Sequence, residues 1–116
     1  MARIEAIREL KESAAGYVLY HFAGLYEIYV ADTGHDKVQQ FSATGTHVRT
    51  WGGNGTTDGK FREPTAIAVG IDGTVVVADR VRDDIQAFTA DGVFVRKWGA
   101  AGTGDGQFVD PTGIAV

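Results

Sequence analysis

The chain has 116 residues, a formal net charge of −4 and no cysteine. These values exclude disulfides and thiolate metal sites and argue against non-specific binding to nucleic acid. Glycine accounts for 16 residues and proline for 2, and a glycine share about twice the usual ~7% predicts many tight turns within one globular domain. No apolar run approaches the roughly 20 residues that span a membrane, so no membrane partner is expected.

The N-terminal segment, residues 1–22, predicts a short helix followed by a strand. Ile4, Ile7 and Leu10 recur at helical spacing. We expect a helix over 3–14 that packs these side chains on apolar surface, because so short a helix is marginal alone in water. The next residues, YVLYHF at 17–22, favour a strand but share no identity with the corresponding strand of the repeat described next.

The rest of the chain repeats itself after 47 residues without a gap. Residues 30–69 and 77–116 are identical at 22 of 40 positions. Shared positions include the Ala-Asp, Trp-Gly and Pro-Thr pairs. The sequence therefore divides into the N-terminal segment and two repeat units, residues 23–69 and 70–116.

The second unit predicts four short strands joined by glycine turns. Asp72-Gly73 and Asp91-Gly92 each favour a tight hairpin turn. Apolar and β-branched runs flank these turns, and we expect strands centred near Ile67, Val76, Ala87 and Val95. Four antiparallel strands at a period of about 40 to 50 residues are typical of a β-propeller blade. The predicted fold is all-β, with two four-stranded blades and a short N-terminal helix.

A glycine-rich stretch, WGGNGTTDGKF at 51–61, has the composition of a phosphate-binding loop but not its pattern. A glycine is required five places before Gly59, where Asn54 stands, and Phe61 follows Lys60 in place of Ser or Thr. The stretch returns at 98–108 with glutamine in place of the lysine. We therefore interpret it as architecture.

The two units resemble NHL repeats. The resemblance lies in YVADTGHDKVQQF, VRTWGGNGTTDGKFREPTAIAV and VFVRKWGAAGTGDGQFVDPTGIAV and covers residues 27–116. It implies a propeller, usually of six blades, with PTGIAV-like inner strands. The Asn and Arg that such blades often carry before the third strand are replaced by Asp36-Lys37 and by Asp83-Asp84.

Aromatic and acidic residues repeat at equivalent positions. Trp51 and Trp98 could be ligand platforms, but we expect them to pack between neighbouring blades. Asp32 and Asp79 could bind a metal, but a carboxylate that caps a turn is the more economical interpretation.

Other polar residues offer weaker candidates. His21, His35 and His47 have no ligand partner at helical or strand spacing and do not repeat, so surface or packing roles are expected. Arg80 and Arg82, in RVRDD, could contact phosphate or an acidic peptide, but a solvated loop is the simpler interpretation. We predict no catalytic, cofactor-binding or metal-binding residue and no cofactor.

Three functions are compatible with the sequence. The favoured one is a non-catalytic propeller fragment or scaffold that assembles with itself and binds protein or peptide through its loops. Some relatives that the resemblance implies are metal-dependent lyases or hydrolases, with ligands on inner strands. Here those strands, TAIAV and TGIAV, carry no His, Asp or Glu, and only His21 could reach an axis. Others bind RNA, which the acidic balance disfavours.

The number of repeat units predicts how several chains would complete a closed propeller ring. Two blades are too few, because propellers have roughly 4 to 8. We expect three chains for six blades, or four chains for eight. The inner strand of the first blade could come from 17–22 or from residues 111–116 of a neighbouring chain. The favoured arrangement is strand exchange, with 112–116 of one chain beside 27–32 of the next.

Overall fold

The computed structural model describes residues 16–22, 25–109, 111 and 114, with side-chain surroundings from residue 27 onward. These residues form eight strands and a single 3₁₀ turn at Thr33–His35. The strands are β1 (Gly16–Phe22), β2 (Leu25–Asp32), β3 (Lys37–Ser42), β4 (His47–Gly52), β5 (Pro64–Val69), β6 (Val75–Asp79), β7 (Asp84–Phe88) and β8 (Phe94–Trp98). The predicted helix over 3–14 lies outside the described residues. Within the described ranges, no helix is long and apolar enough to cross a bilayer.

The strands form two four-stranded antiparallel sheets. Sheet 1 has the order β1-β2-β3-β4, and sheet 2 has the order β5-β6-β7-β8. Each strand pairs with its neighbour in sequence, as expected for runs joined by short turns. The predicted all-β class is confirmed for this part of the chain, and so are the four strand positions of the second unit.

The first sheet contains the chain's own segment 17–22 as its first strand. β1 pairs with β2 from Gly16↔Ala31 to Phe22↔Leu25. The expected strand exchange is therefore wrong, because β1 occupies the place beside 27–32 that residues 112–116 of a neighbour would take. Backbone pairing needs no sequence identity, so a β-prone run is sufficient there. Pro111 lies elsewhere, since its carbonyl accepts a hydrogen bond from Thr65 Oγ1 at 3.0 Å.

Hairpin turns with the same geometry join the third and fourth strands of both sheets. Gly45 and Gly92 have positive φ angles of 87° and 84°. The N–H of each glycine donates to the carbonyl three residues earlier, of Ser42 and Thr89 respectively, at 2.9 Å. The repeated sequence thus produces a repeated turn, which positions the surface discussed below.

The apolar core lies between the two sheets. Sheet 1 contributes Tyr29, Ala31 and Val38, and the remaining members are Phe61, Ile67, Val75, Val77 and Phe88. The ring centroid of Phe88 lies 5.7 Å from that of Trp51 and 5.8 Å from that of Phe61. Full burial of each large side chain contributes roughly 1.5–3 kcal/mol. The sheets are therefore held face to face mainly by these apolar contacts.

Candidate interaction surface

The glycine-rich loop that follows sheet 1 folds back on itself. The N–H of Phe61 donates to the carbonyl of Gly53 at 2.8 Å, and the ring of Phe61 lies fully buried beneath Gly52. Lys60 Nζ donates to the carbonyl of Gly52 at 3.1 Å. The lysine that suggested phosphate binding is thus bonded to the backbone of its own loop. The stretch therefore has a structural role, since its backbone covers the buried ring of Phe61.

Side chains of the second unit, from β7 and the turn before it, hold this loop through its backbone. Arg82 Nη1 donates to the carbonyl of Thr57 at 2.9 Å and also to that of Lys60. Gln86 accepts a hydrogen bond from the N–H of Gly59 and donates to the carbonyl of Lys60, both at 2.8 Å. A loop from the first unit is therefore fastened by residues that belong to the second.

Asp79 completes this set, which we call the loop clamp (Asp79, Arg82 and Gln86). Its fully buried carboxylate accepts backbone hydrogen bonds from Arg62 at 2.7 Å and Glu63 at 3.1 Å on one side. On the other side it accepts those of Val81 and Arg82 at 3.1 and 3.0 Å. Asp79 is thus the turn-capping carboxylate that the sequence predicted.

The expected solvated position of Arg82 is wrong. Its side chain is only 5% exposed, and Nη2 lies 2.9 Å from Asp84 Oδ2. The loop carbonyls and this carboxylate together satisfy the guanidinium, which allows its burial. Burial raises the pKa of the Asp84 carboxyl above its ordinary value, and the Arg82 guanidinium opposes this rise only in part. By contrast, Arg80 is half exposed and pairs with Glu63 at 2.9 Å.

The same positions of the first unit hold Asp32, His35 and Gln39, and these contact one another. Gln39 Nε2 donates to Asp32 Oδ2 at 2.7 Å, and His35 Nδ1 lies 3.0 Å from the same oxygen. Among its described contacts, the Asp32 carboxylate accepts hydrogen bonds from side chains and none from the backbone of the Thr33–His35 turn, so the capping role predicted for Asp32 is wrong for this turn. His35 stands at the position of Arg82. The first unit therefore lacks the guanidinium that, in the second unit, donates to carbonyls of the glycine-rich loop.

The histidines do not converge within the described residues. His47 Nε2 lies 2.7 Å from Thr50 Oγ1, and its ring packs edge-on against Phe41. The side chain of His21 lies outside the described side chains. The described part of the chain contains no group of three His, Cys, Asp or Glu side chains placed to hold a metal ion.

The most specific contact between the sheets is a seat for the turn that joins β7 to β8. Tyr29 Oη donates to the carbonyl of Ala90 at 3.1 Å. Arg49 Nη1 donates to the carbonyl of Asp91 at 3.3 Å, and its Nη2 lies 3.6 Å from the carboxylate of that residue. We call Tyr29, Arg49 and Trp51 the filled seat.

Within the filled seat, the turn packs against the indole of Trp51, and Gln40 holds the side chain of Arg49 in place. A Cβ atom on Gly92 would stand 2.6 Å from the ring of Trp51, so only glycine fits against the indole. Gln40 Oε1 accepts a hydrogen bond from Arg49 Nε at 2.8 Å, while Gln40 Nε2 donates to Glu27 at 3.2 Å. This chain of polar contacts fixes the guanidinium over the turn.

The 47-residue repeat places a second, equivalent set of residues on sheet 2, on the face that points away from sheet 1. Val76, Arg96 and Trp98 occupy the equivalent positions, and we call them the open seat. Arg96 Cζ lies 5.7 Å above the ring of Trp98, a cation–π geometry, and the tryptophan is 39% exposed. In the portion of the chain that the structure describes, no third turn covers this indole.

The predicted packing of the tryptophans between sheets is thus confirmed for Trp51 and not for Trp98. Tyr29 and Arg49 were not expected to be contact residues. Arg49 had a signal, because Arg96 repeats it two residues before the second tryptophan. Tyr29 had none, since valine replaces it in the second unit.

Comparison with known proteins adds information on the fold alone. No family model and no curated protein matches the sequence. The structure is similar to Kuenenia stuttgartiensis hydrazine synthase, with a TM-score of 0.66 and 14% identity over 90% of this chain and 26% of that one. It is also similar to an exported protein of Bacteroides fragilis, with a TM-score of 0.59 and 16% identity over 72% of this chain and 23% of that one. The chain therefore spans about a quarter of the length of each structure, and at these identities the likeness concerns the backbone fold.

Proposed function

We propose that the chain is a non-catalytic β-propeller module, in which sheets 1 and 2 are NHL-like blades that assemble with further copies into a closed ring. Three observations support this proposal: the 47-residue repeat, the four-stranded antiparallel order of each sheet, and the face-to-face packing of consecutive sheets. Four-stranded sheets packed in this way are the repeating element of propellers.

The observation that carries the proposal is the pair of seats. Trp51 is covered by a turn of the next sheet, while Trp98, at the same position of the repeat, is partly exposed beside Arg96. Tryptophan and arginine are the residues that most often anchor protein interfaces. Exposed apolar surface of this kind marks a site of association.

The proposed assembly is head to tail, because the two faces in contact differ. Such contacts close a ring when the rotation for each chain divides a full turn. With two blades in each chain, three chains supply six blades and four chains supply eight. Since β1 already completes sheet 1, whole sheets dock in this proposal and no strand is exchanged. The turns and loops at the rim would present the binding surface for a protein or peptide.

The mass of the particle in solution tests the proposal. Each chain has a mass of 12.4 kDa, so a trimer is expected near 37 kDa by sedimentation equilibrium or light scattering. A particle that remains monomeric at concentrations of about 0.1 mM would contradict self-assembly. Metal analysis of the purified protein tests the non-catalytic part separately, because stoichiometric bound zinc or calcium would contradict it.

A further inference from the structure

We infer that the open seat on sheet 2 binds the turn between β3 and β4, residues 43–45, of a second copy of the chain. This inference rests on the proposed self-assembly and names the residues through which it occurs. The internal repeat identifies the occupant. The filled seat binds the turn between the third and fourth strands of the next sheet, so the open seat is expected to bind the equivalent turn.

The turn proposed as occupant matches the one that sits in the filled seat. Residues 43–45 and 90–92 stand at equivalent positions of the repeat and read Ala-Thr-Gly and Ala-Asp-Gly. The flanking pairs also match, since Ser42 N donates to Thr46 O and Thr89 N donates to Val93 O, both at 2.9 Å. A register shift also occurs at the same place in the two hairpins, between Gln40 and Phe41 and between Ala87 and Phe88.

The open seat retains two of the three anchors. Arg96 and Trp98 repeat Arg49 and Trp51, so an indole floor and a guanidinium are both present. Val76 replaces Tyr29 and removes the hydroxyl that donates to the turn. On the turn, Thr44 replaces Asp91 and removes the carboxylate that faces the arginine. The contact between copies therefore has the same packing geometry as the internal contact but lacks the tyrosine hydrogen bond and the ion pair. A weaker contact of this kind suits reversible association.

The contact is centred on the hairpin and not on the whole face of sheet 1. Ile28 and Val30, at the equivalent positions to Val75 and Val77, are already buried within one chain. The turn, by contrast, carries exposed Thr44 and Thr46. These residues are available to a second copy without any rearrangement of the sheet.

Charge reversal at the two proposed contact residues tests the inference. Thr44→Arg places a cation opposite Arg96 of the next copy, and we expect self-association to weaken about five-fold or more. Arg96→Asp alone removes an anchor and weakens it as well. The double variant restores an ion pair with opposite polarity and should recover most of the loss, because a surface pair contributes up to about a five-fold change in affinity. Thr44→Asp recreates the carboxylate of Asp91 and should strengthen association about two- to five-fold.

A matched control adds the same charge elsewhere. Ile71→Arg lies in the turn between β5 and β6, on a side chain that is 94% exposed, and should leave the association constant unchanged. Sedimentation equilibrium reports each constant, and thermal unfolding confirms that every variant is folded. If wild-type assembles but both single variants behave like the control, this inference is overturned while self-assembly stands. A monomeric wild-type overturns both, and leaves the open seat to a different occupant, such as a further unit of a longer chain.

Discussion

The indole of Trp51 lies against Gly92, in a space that would leave 2.6 Å between the ring and an added Cβ. The backbone of the sheet 2 turn therefore lies directly on the indole, while the Asp91 carboxylate faces Arg49. This close approach allows the arginine and tyrosine beside the tryptophan to reach the turn carbonyls. The glycine at 92 is thus required twice, by its φ of 84° and by its neighbour.

Gly92→Ala should destabilise the protein more than Gly59→Ala. Both glycines have nearly the same φ, 84° and 83°, so both variants carry the strain of a side chain in the left-handed region, about 1–2 kcal/mol. Only Gly92 faces a ring, whereas a Cβ on Gly59 meets nothing within 4 Å. The added overpacking should cost a further ~1–3 kcal/mol, measured by urea denaturation. Equal losses of unfolding free energy in the two variants would show that the Trp51 side chain moves aside without cost.

Arg82→Met should cost roughly 3–5 kcal/mol in the free energy of unfolding, because it leaves the Asp84 carboxylate buried without its cation and removes two hydrogen bonds to the loop. Arg80→Met is the matched control in the same turn. Its ion pair is 46% exposed on the arginine side, so its loss should cost less than about 1 kcal/mol. A large loss in both variants would mean that the turn itself, and not the loop clamp, sets the stability.

Asp84→Asn should become more favourable relative to wild-type as the pH rises from about 3 to 7. The folded protein raises the pKa of Asp84, so the stability linked to its protonated form is fully present below the usual aspartate pKa of about 4. That stability is lost as the pH passes through the raised value. Asparagine cannot ionise and escapes the loss. Melting temperatures of the two proteins across this range check the prediction, and a constant difference would contradict it.

Trp51→Ala and Trp98→Ala should separate folding from assembly. Trp51 lies in the internal contact, so its removal should cost about 3–5 kcal/mol of unfolding free energy. Trp98 is 39% exposed, so its removal should change the unfolding of the single chain by less than about 1 kcal/mol and lower the particle mass. Comparison of melting temperature with sedimentation checks both. A particle mass unchanged by Trp98→Ala would argue against the proposed interface.

Much of the fold could be predicted from the sequence because its signals are local. Asp-Gly turns and β-branched runs place the strands of sheet 2 without reference to any neighbour. The return of the glycine-rich stretch with Gln107 in place of Lys60 also indicated a structural role, and the folded-back loop agrees with it. The position of β1 in sheet 1 was harder to predict from the sequence, because its pairing with β2 uses backbone groups that any β-prone segment offers.

The candidate surface could be predicted only in part because its contacts are distant in sequence. Arg82 was expected in solvent, and nothing near it in the sequence shows that carbonyls of residues 57 and 60 satisfy its guanidinium. Tyr29 likewise reaches a carbonyl 61 residues away. Trp51 was correctly expected at a packing surface, but the sequence does not distinguish this covered position from the exposed one of Trp98.

The loop clamp determines where this chain can be recombined. The glycine-rich loop of the first unit is bonded through its backbone by Asp79, Arg82 and Gln86 of the second unit. A chimera joined at the sheet boundary, near residue 64, would pair a loop from one parent with a clamp from another. A crossover within β3, β4 or β8 lies outside residues 57–86 and keeps loop and clamp from the same parent. Shuffling of such units should therefore yield folded products when the junction lies outside residues 57–86 and not between the loop and its clamp.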